Sequence, residues 1–243
     1  MIKVPYTVTP DISKYEGEAF NSNPNKTYLE QKRKELAVFG NELGFTLLHG
    51  HQFVKDLSEF CGFKPTNNIT EIALQLEEDV AVLYDGKLVS MLFCFPSGFK
   101  PAEKVGMSFA EMHAPVADSE TLIKMADKVT QVISRPGSQY RRNVWTLTSS
   151  PKLSRHPEYI KQELIYPLSI SSLYFRKETQ TTIGMGDGRT VFFFVKVEVE
   201  PLEKIWQDEE MRDKIVSSIN SMTDATLTYK GLHRIKEIIN HSK

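Results

Sequence analysis

The stretch "SLYFRKETQTTIGMGDGRTVFFFVKVEVEP", residues 172–201, decides the fold. Two runs rich in aromatic and β-branched residues flank "GMGDG", so it predicts a long antiparallel hairpin with a glycine- and aspartate-bearing turn. A phosphate-cradling glycine loop needs a helix N-terminus after it, and here a β-rich run follows. Working outward, "DVAVLYDGKLVSMLFCFP", residues 79–96, holds two more β-rich runs about Asp85-Gly86. That dipeptide favours a two-residue hairpin because both positions tolerate positive φ. "RRNVWTLTSS", residues 141–150, adds a further strand. About five strands in antiparallel hairpins, with helices segregated in blocks, mean α+β rather than the βαβ alternation of a nucleotide-binding sheet.

Around this core lie helical segments. "YLEQKRKELAVFGNELG" has helix-favouring composition, and "HQFVKDLSEFCG" sets Phe53, Val54, Leu57, Phe60 and Cys61 on one face. A short helix is expected after Asn68. "DSETLIKMADKVTQVISRPG" repeats Leu122, Ala126, Val129, Val132 and Ile133 and stops before Pro136-Gly137, as one amphipathic helix does. The tail from Gln207 to His241 reads as two helices. No repeat or linker divides the chain, so the expectation is one domain over 1–243: an N-terminal helical extension (1–78), a core (79–200) and C-terminal helices (201–243).

Forty per cent apolar and 25% charged residues are ordinary for a soluble globular protein. A formal net charge of −1 gives no electrostatic case for nucleic acid or an anionic membrane. No apolar run is long enough to span a bilayer, and the opening prolines and acidic residues do not suit a secretory signal. Two distant cysteines, Cys61 and Cys94, indicate neither a disulfide framework nor a thiolate zinc site, so a reduced, cytoplasmic location is expected.

Few residues carry obvious chemistry. His49 and His51 could offer imidazoles to a metal, but no third ligand or HExxH spacing stands nearby. Cys94 lacks an activating histidine, and no Gly-x-Ser-x-Gly elbow occurs. His113 ends a helix-like segment before Ala-Pro, where an imidazole either bonds to backbone or serves as a ligand. In "YFRKETQTT", period two puts Tyr174, Arg176, Glu178 and Gln180 on one face, opposite Phe175, Lys177, Thr179 and Thr181. That row is either a polar surface or the wall of a pocket.

Taken together these segments resemble a known family. "FCFPSGFKPAEKVGMSFAEMHAPV" is similar to the signature segment of the haem-dependent oxidative N-demethylases, the haem subunit of dimethylamine monooxygenases. "RRNVWTL", "FRKETQTT", "FFFVKVEVEPL" and "YKGL" resemble further family motifs in the same order, so the resemblance spans about Asp79 to Leu232. Three departures stand out: Val144 intervenes between Asn143 and Trp145, Thr179 stands where an arginine is usual beside the strand glutamate, and "TTIGMGDG" replaces an arginine-rich continuation of that strand.

The resemblance implies a PAS-like curved antiparallel sheet cradling haem b. It implies His113 as the iron ligand, with Pro115, Phe95, Lys104, Arg142 and Trp145 as haem-binding residues. Arg176 and Glu178 become the catalytic pair, and Glu178, Tyr174 and Gln180 the substrate-binding residues. The implied activity is O₂-dependent N-demethylation of a small secondary amine such as dimethylamine, releasing formaldehyde. The chain has no flavin, nicotinamide or iron–sulfur motif, so electrons are expected from NAD(P)H through a separate flavin/iron–sulfur reductase. A haem-based sensor or a non-catalytic small-molecule-binding module would use the same architecture.

Overall fold

The structure, a computed structural model, describes residues 2–162 and 169–242. Its strands are β1 (Ser13–Lys14), β2 (Asp79–Tyr84), β3 (Lys87–Leu92), β4 (Gln139–Thr148), β5 (Tyr174–Gly184) and β6 (Thr190–Pro201). They form one antiparallel sheet in the order β1-β4-β5-β6-β2-β3, the α+β architecture expected of a PAS-like fold. The sixth strand is the two-residue β1, which pairs with Tyr140 and Arg141 at the β4 edge. Too short and too polar to show alternation, it had no sequence signal.

Both hairpins form for the expected reasons. Asp85 and Gly86 take φ of 48° and 73°, the paired left-handed conformations that a tight two-residue turn requires. In the longer turn, Asp187 accepts N–H bonds from Arg189 (3.0 Å) and Thr190 (2.9 Å). Because Tyr84 pairs with Thr190, the two hairpin tips lie side by side, and Arg189 Nε bonds Asp85 Oδ1 at 2.7 Å.

The helices are α1 (Lys26–Phe39), α2 (His51–Phe60), α3 (Ile69–Ala73), α4 (Phe109–His113), α5 (Glu120–Lys124), α6 (Ala126–Ile133), α7 (Pro157–Gln162), α8 (Leu202–Trp206), α9 (Glu209–Asn220), α10 (Asp224–Lys230) and α11 (His233–His241). Asn25 and Asn68 cap α1 and α3 as side-chain acceptors. The single amphipathic helix expected in "DSETLIKMADKVTQVIS" before Pro136 is broken at Met125, whose N–H is shared between Thr121 and Ile123 carbonyls. The tail holds more helices than the two expected from Gln207 onward. Thr223 caps α10, and Gly231, at φ 67°, ends it, which cuts the segment into α9, α10 and α11.

Two apolar cores result. The larger one packs β2, β3 and β6 against the N-terminal helices, with Phe192, Phe194, Val80 and Leu57 at its centre. The other packs Trp145, Leu147 and Phe175 of β4 and β5 against Leu202, Ile215, Ile219 and Ile239 of the C-terminal helices. No helix of the described residues is long and apolar enough to cross a membrane.

Candidate functional site

Strand register turns alternation into a wall. Tyr140, Arg142, Val144 and Thr146 of β4 stand opposite Thr182, Gln180, Glu178 and Arg176 of β5, and all eight line one cavity of about 530 Å³. That volume lies within the roughly 300–1,000 Å³ of cofactor and ligand sites. Phe193 continues the floor on β6, and Leu83, Leu88 and Met91 on β2 and β3. Leu122, Val129 and Ile133, from the two pieces of the broken helix, close it with α4, while α10 and the segment around Tyr6 to Pro10 form another side.

Helix α4 begins with a capping box: Ser108 Oγ accepts the Glu111 N–H, and Glu111 Oε2 accepts the Ser108 N–H at 2.7 Å. The helix is only five residues long, so this cap largely sets where its last residue, His113, points. His113 Nδ1 bonds the Phe109 carbonyl at 2.7 Å, and the ring stacks on Phe109 with centroids 4.2 Å apart. A carbonyl only accepts, so Nδ1 carries the proton and Nε2 keeps its lone pair. Nε2 has no hydrogen-bond partner among the described residues. Burial, aided by the charges of Arg142 and Lys104, lowers the imidazole pKa below its usual value. This is a neutral, oriented nitrogen donor on a cavity wall.

Across the cavity the β5 row is tightly bonded. Arg176 is only 2% exposed. Its Nη1 donates to Glu178 Oε1 at 2.5 Å and its Nη2 to the carbonyls of Phe95 (2.9 Å) and Leu153 (3.2 Å). Glu178, with 14% of its side chain exposed, also receives Ser97 Oγ on Oε1 and Gln180 Nε2 on Oε2 at 2.9 Å. Burial pushes this carboxyl upward, but Arg176 and the donated hydrogen bonds outweigh it and hold the pKa below the ordinary range. Glu178 is therefore ionised at neutral pH. With three donors already aimed at it, one acceptor position on Oε2 remains open.

Eight of the ten expected site residues meet at this cavity: His113, Pro115, Lys104, Arg142, Trp145, Arg176, Glu178 and Gln180. Phe95 and Tyr174 are absent from its wall. Phe95 instead orients Arg176 through its carbonyl, while its N–H is held by Asp79 at 2.8 Å and its ring packs edge-on to Tyr28. Tyr174 shares the β5 face but lies at the strand start, paired with Thr148 and Pro201 beyond the cavity. Trp145 belongs to the wall, yet its ring stacks on Phe175 at 5.7 Å in the core under the C-terminal helices. Val144 occupies the inward position before it, and in a period-two strand the next residue faces away.

The departure at Thr179 also falls on the far face. Thr179 pairs with Asn143 and donates to its Oδ1 at 3.1 Å, away from the cavity row. It does not alter the charge of the wall.

Sequence reasoning missed a whole side. Tyr6, Thr226, Tyr229 and Lys230 line the cavity, brought there by the C-terminal helices and by an N-terminal segment anchored through Tyr6 N–H to Ser221 Oγ at 2.8 Å. "YKGL" was the one available signal for Lys230; the N-terminal segment carried none.

The charges test whether haem fits. Arg176 is paired with Glu178, whereas Lys104, Arg142 and Lys230 have no ion-pair partner among the described residues, and the buried Nε of Arg142 lacks any hydrogen bond. Half-buried cations without counter-ions lose part of their hydration, so such a wall suits a ligand with more than one negative charge. A macrocycle with two carboxylates and a metal seeking one nitrogen donor matches this donor set.

Cavity, histidine and cationic wall on an α+β antiparallel sheet define a cofactor-binding protein of PAS-like architecture. The chain belongs to the haem-dependent oxidative N-demethylase, alpha subunit-like family, whose family model matches residues 37–240.

Proposed function

We propose that the protein is a haem-dependent monooxygenase that removes the methyl group of a small secondary amine, dimethylamine being the simplest, with O₂ and release of formaldehyde. The observation that carries this reading is His113, its ring fixed by Phe109 with Nε2 left free, on the wall of a cavity with unpaired cations. The balanced reaction takes amine, O₂, two electrons and two protons to the demethylated amine, formaldehyde and water.

Haem b held here supplies the activation of O₂ and the oxidation of the methyl C–H bond. His113 would hold the iron through its Nε2, and its Nδ1–H bond to the Phe109 carbonyl holds the tautomer and ring orientation. Lys104 and Arg142 would receive the carboxylates of the cofactor. Arg176, itself held by the Phe95 and Leu153 carbonyls, keeps Glu178 ionised and aimed inward. The open acceptor position of Glu178, with Gln180 beside it, receives the amine N–H and holds the methyl group toward the centre of the cavity.

Electrons come from NAD(P)H through a separate flavin/iron–sulfur reductase, and the "alpha subunit" of the family name supports a multi-component system. Walls drawn from the N-terminal segment, the sheet and α10 support one haem-binding unit over the whole chain. The free thiols Cys61 and Cys94 suit a reducing cytoplasm.

The test is spectroscopic first. Protein expressed with haem supply should bind one haem b whose spectrum responds to dithionite and carbon monoxide, and His113→Ala should abolish or shift it. With a competent reductase, formaldehyde release should match amine loss. Reduction and O₂ binding without formaldehyde from any amine would leave a gas sensor instead.

A further inference from the structure

Arg176 is held from a place that the cavity does not include. At the start of β2, Asp79 is fully buried, and the equally buried Lys32 of α1 stands 3.3 Å from its Oδ1, an ion pair that lacks hydrogen-bond geometry. Neither residue lines the cavity. The Lys32 ammonium also donates to the Ala73 carbonyl at 3.2 Å and to the Glu78 carbonyl, which fixes the place of its charge. The other oxygen, Asp79 Oδ2, accepts the Phe95 N–H at 2.8 Å. Phe95 precedes Pro96, which has no N–H and confines ψ of the residue before it to the extended range. With its N–H anchored and its ψ confined, Phe95 has its carbonyl direction set. That carbonyl accepts Arg176 Nη2 at 2.9 Å, and two residues further on Ser97 Oγ donates to Glu178. One short segment after β3 thus touches both members of the Arg176–Glu178 pair.

A buried ion pair is a weak source of stability, since both ions give up hydration and apolar side chains of like volume often do as well. What this pair supplies is a fixed acceptor for the Phe95 N–H. The same helix also reaches the Phe95 ring, with Tyr28 edge-on at 6.2 Å and Lys32 Nζ 6.0 Å from its centroid. We propose that Asp79, held by Lys32, is a positioning residue for the substrate: through the Phe95 backbone it sets where Arg176 and Glu178 stand, and so governs affinity for the amine from outside the cavity. The chain runs from Lys32 to Asp79, Phe95, Arg176 and Glu178, and its links measure 3.3, 2.8, 2.9 and 2.5 Å. The part that concerns the amine rests on the N-demethylase reading, whereas the hold on Arg176 does not.

Two double variants remove the ion pair without stranding a charge. Lys32→Met with Asp79→Leu leaves the Phe95 N–H without its acceptor, and Lys32→Met with Asp79→Asn returns a side-chain oxygen to it. Haem-loaded protein, kept diamagnetic by reduction under carbon monoxide, is followed through the Arg176 guanidinium signals in heteronuclear NMR, and KM and kcat for dimethylamine are measured with the reductase. In wild type the two Arg176 Nη signals should be separate, because a held guanidinium rotates slowly. In the leucine variant they should average, and KM should rise about tenfold, the upper end of what one hydrogen bond contributes, with a smaller fall in kcat. The asparagine variant should keep separate signals and most of the affinity. Separate signals with an unchanged KM in the leucine variant overturn the inference. Equal changes in both variants do so as well, because the Phe95 N–H would then not be the link. If the leucine variant does not fold, Pro96→Ala, which frees ψ of Phe95 while the ion pair stays, tests the same chain: the signals should average, and separate signals overturn the inference. Averaging as expected in a protein whose wild type turns over no amine keeps the hold on Arg176 and fails the N-demethylase reading.

Discussion

The two faces of strands β4 and β5 lie in opposite chemical surroundings. One face carries Trp145, Leu147 and Phe175, packed on the C-terminal helices. The other carries Arg142, Arg176, Glu178 and Gln180 around an open cavity. Neighbouring residues on one backbone thus sit in a dry core or on a charged wall, because side chains alternate at period two. The apolar face gains stability from area removed from water. The charged face gives stability up, since ionised groups lose hydration there and regain it only through specific partners. Stability and chemistry are separated by the thickness of a single sheet.

The largest way to break this comparison is on the dry face. Phe175→Ala should cost about 3–5 kcal/mol through lost burial and the cavity left beside Trp145, visible as a lower midpoint in denaturant unfolding. Haem binding by the fraction still folded should persist. Next comes Arg176→Met on the wall. It strands Glu178 without its cation and should destabilise by roughly 3 kcal/mol, and Arg176→Met combined with Glu178→Met should recover much of that loss. If the double variant is no better than the single one, Arg176 and Glu178 are not energetically coupled.

A smaller effect concerns pH. Burial lowers the His113 pKa, so the folded protein resists a proton that the unfolded chain takes up below about pH 6.5. Stability of the haem-free protein should therefore fall as pH drops through that value, and His113→Gln should flatten this part of the profile. The smallest effect is expected at Thr179→Val, on the face away from the cavity. Losing the bond to Asn143 should cost about 1 kcal/mol and leave ligand affinity unchanged. A change in substrate selectivity in that variant would mean that the far face reaches the site.

The hairpin turns were legible because Asp85-Gly86 and "GMGDG" meet a local steric demand that few other residues meet. The row Arg176, Glu178, Gln180 was legible as a row, since alternation needs no tertiary information. Which way it faced was not, because solvent and cavity both accept polar side chains. Phe95 and Tyr174 show which placements a residue pattern leaves open. Phe95 holds Arg176 by a backbone carbonyl, a role that side-chain identity does not encode, and Tyr174 lies on the right face but too far along the strand.

By itself the sequence determined the α+β class, from the pattern of its strand and helix segments, and the two hairpins and the helix that ends in His113, which follow from contacts within a few residues. Tertiary structure decided the rest of the site. Lys230 and Tyr6 are separated by most of the chain, and they meet only because α10 and the N-terminal segment pack along the β4 edge that β1 leaves uncovered. Such a meeting depends on how apolar faces stack at long range, and no local pattern of residues records it.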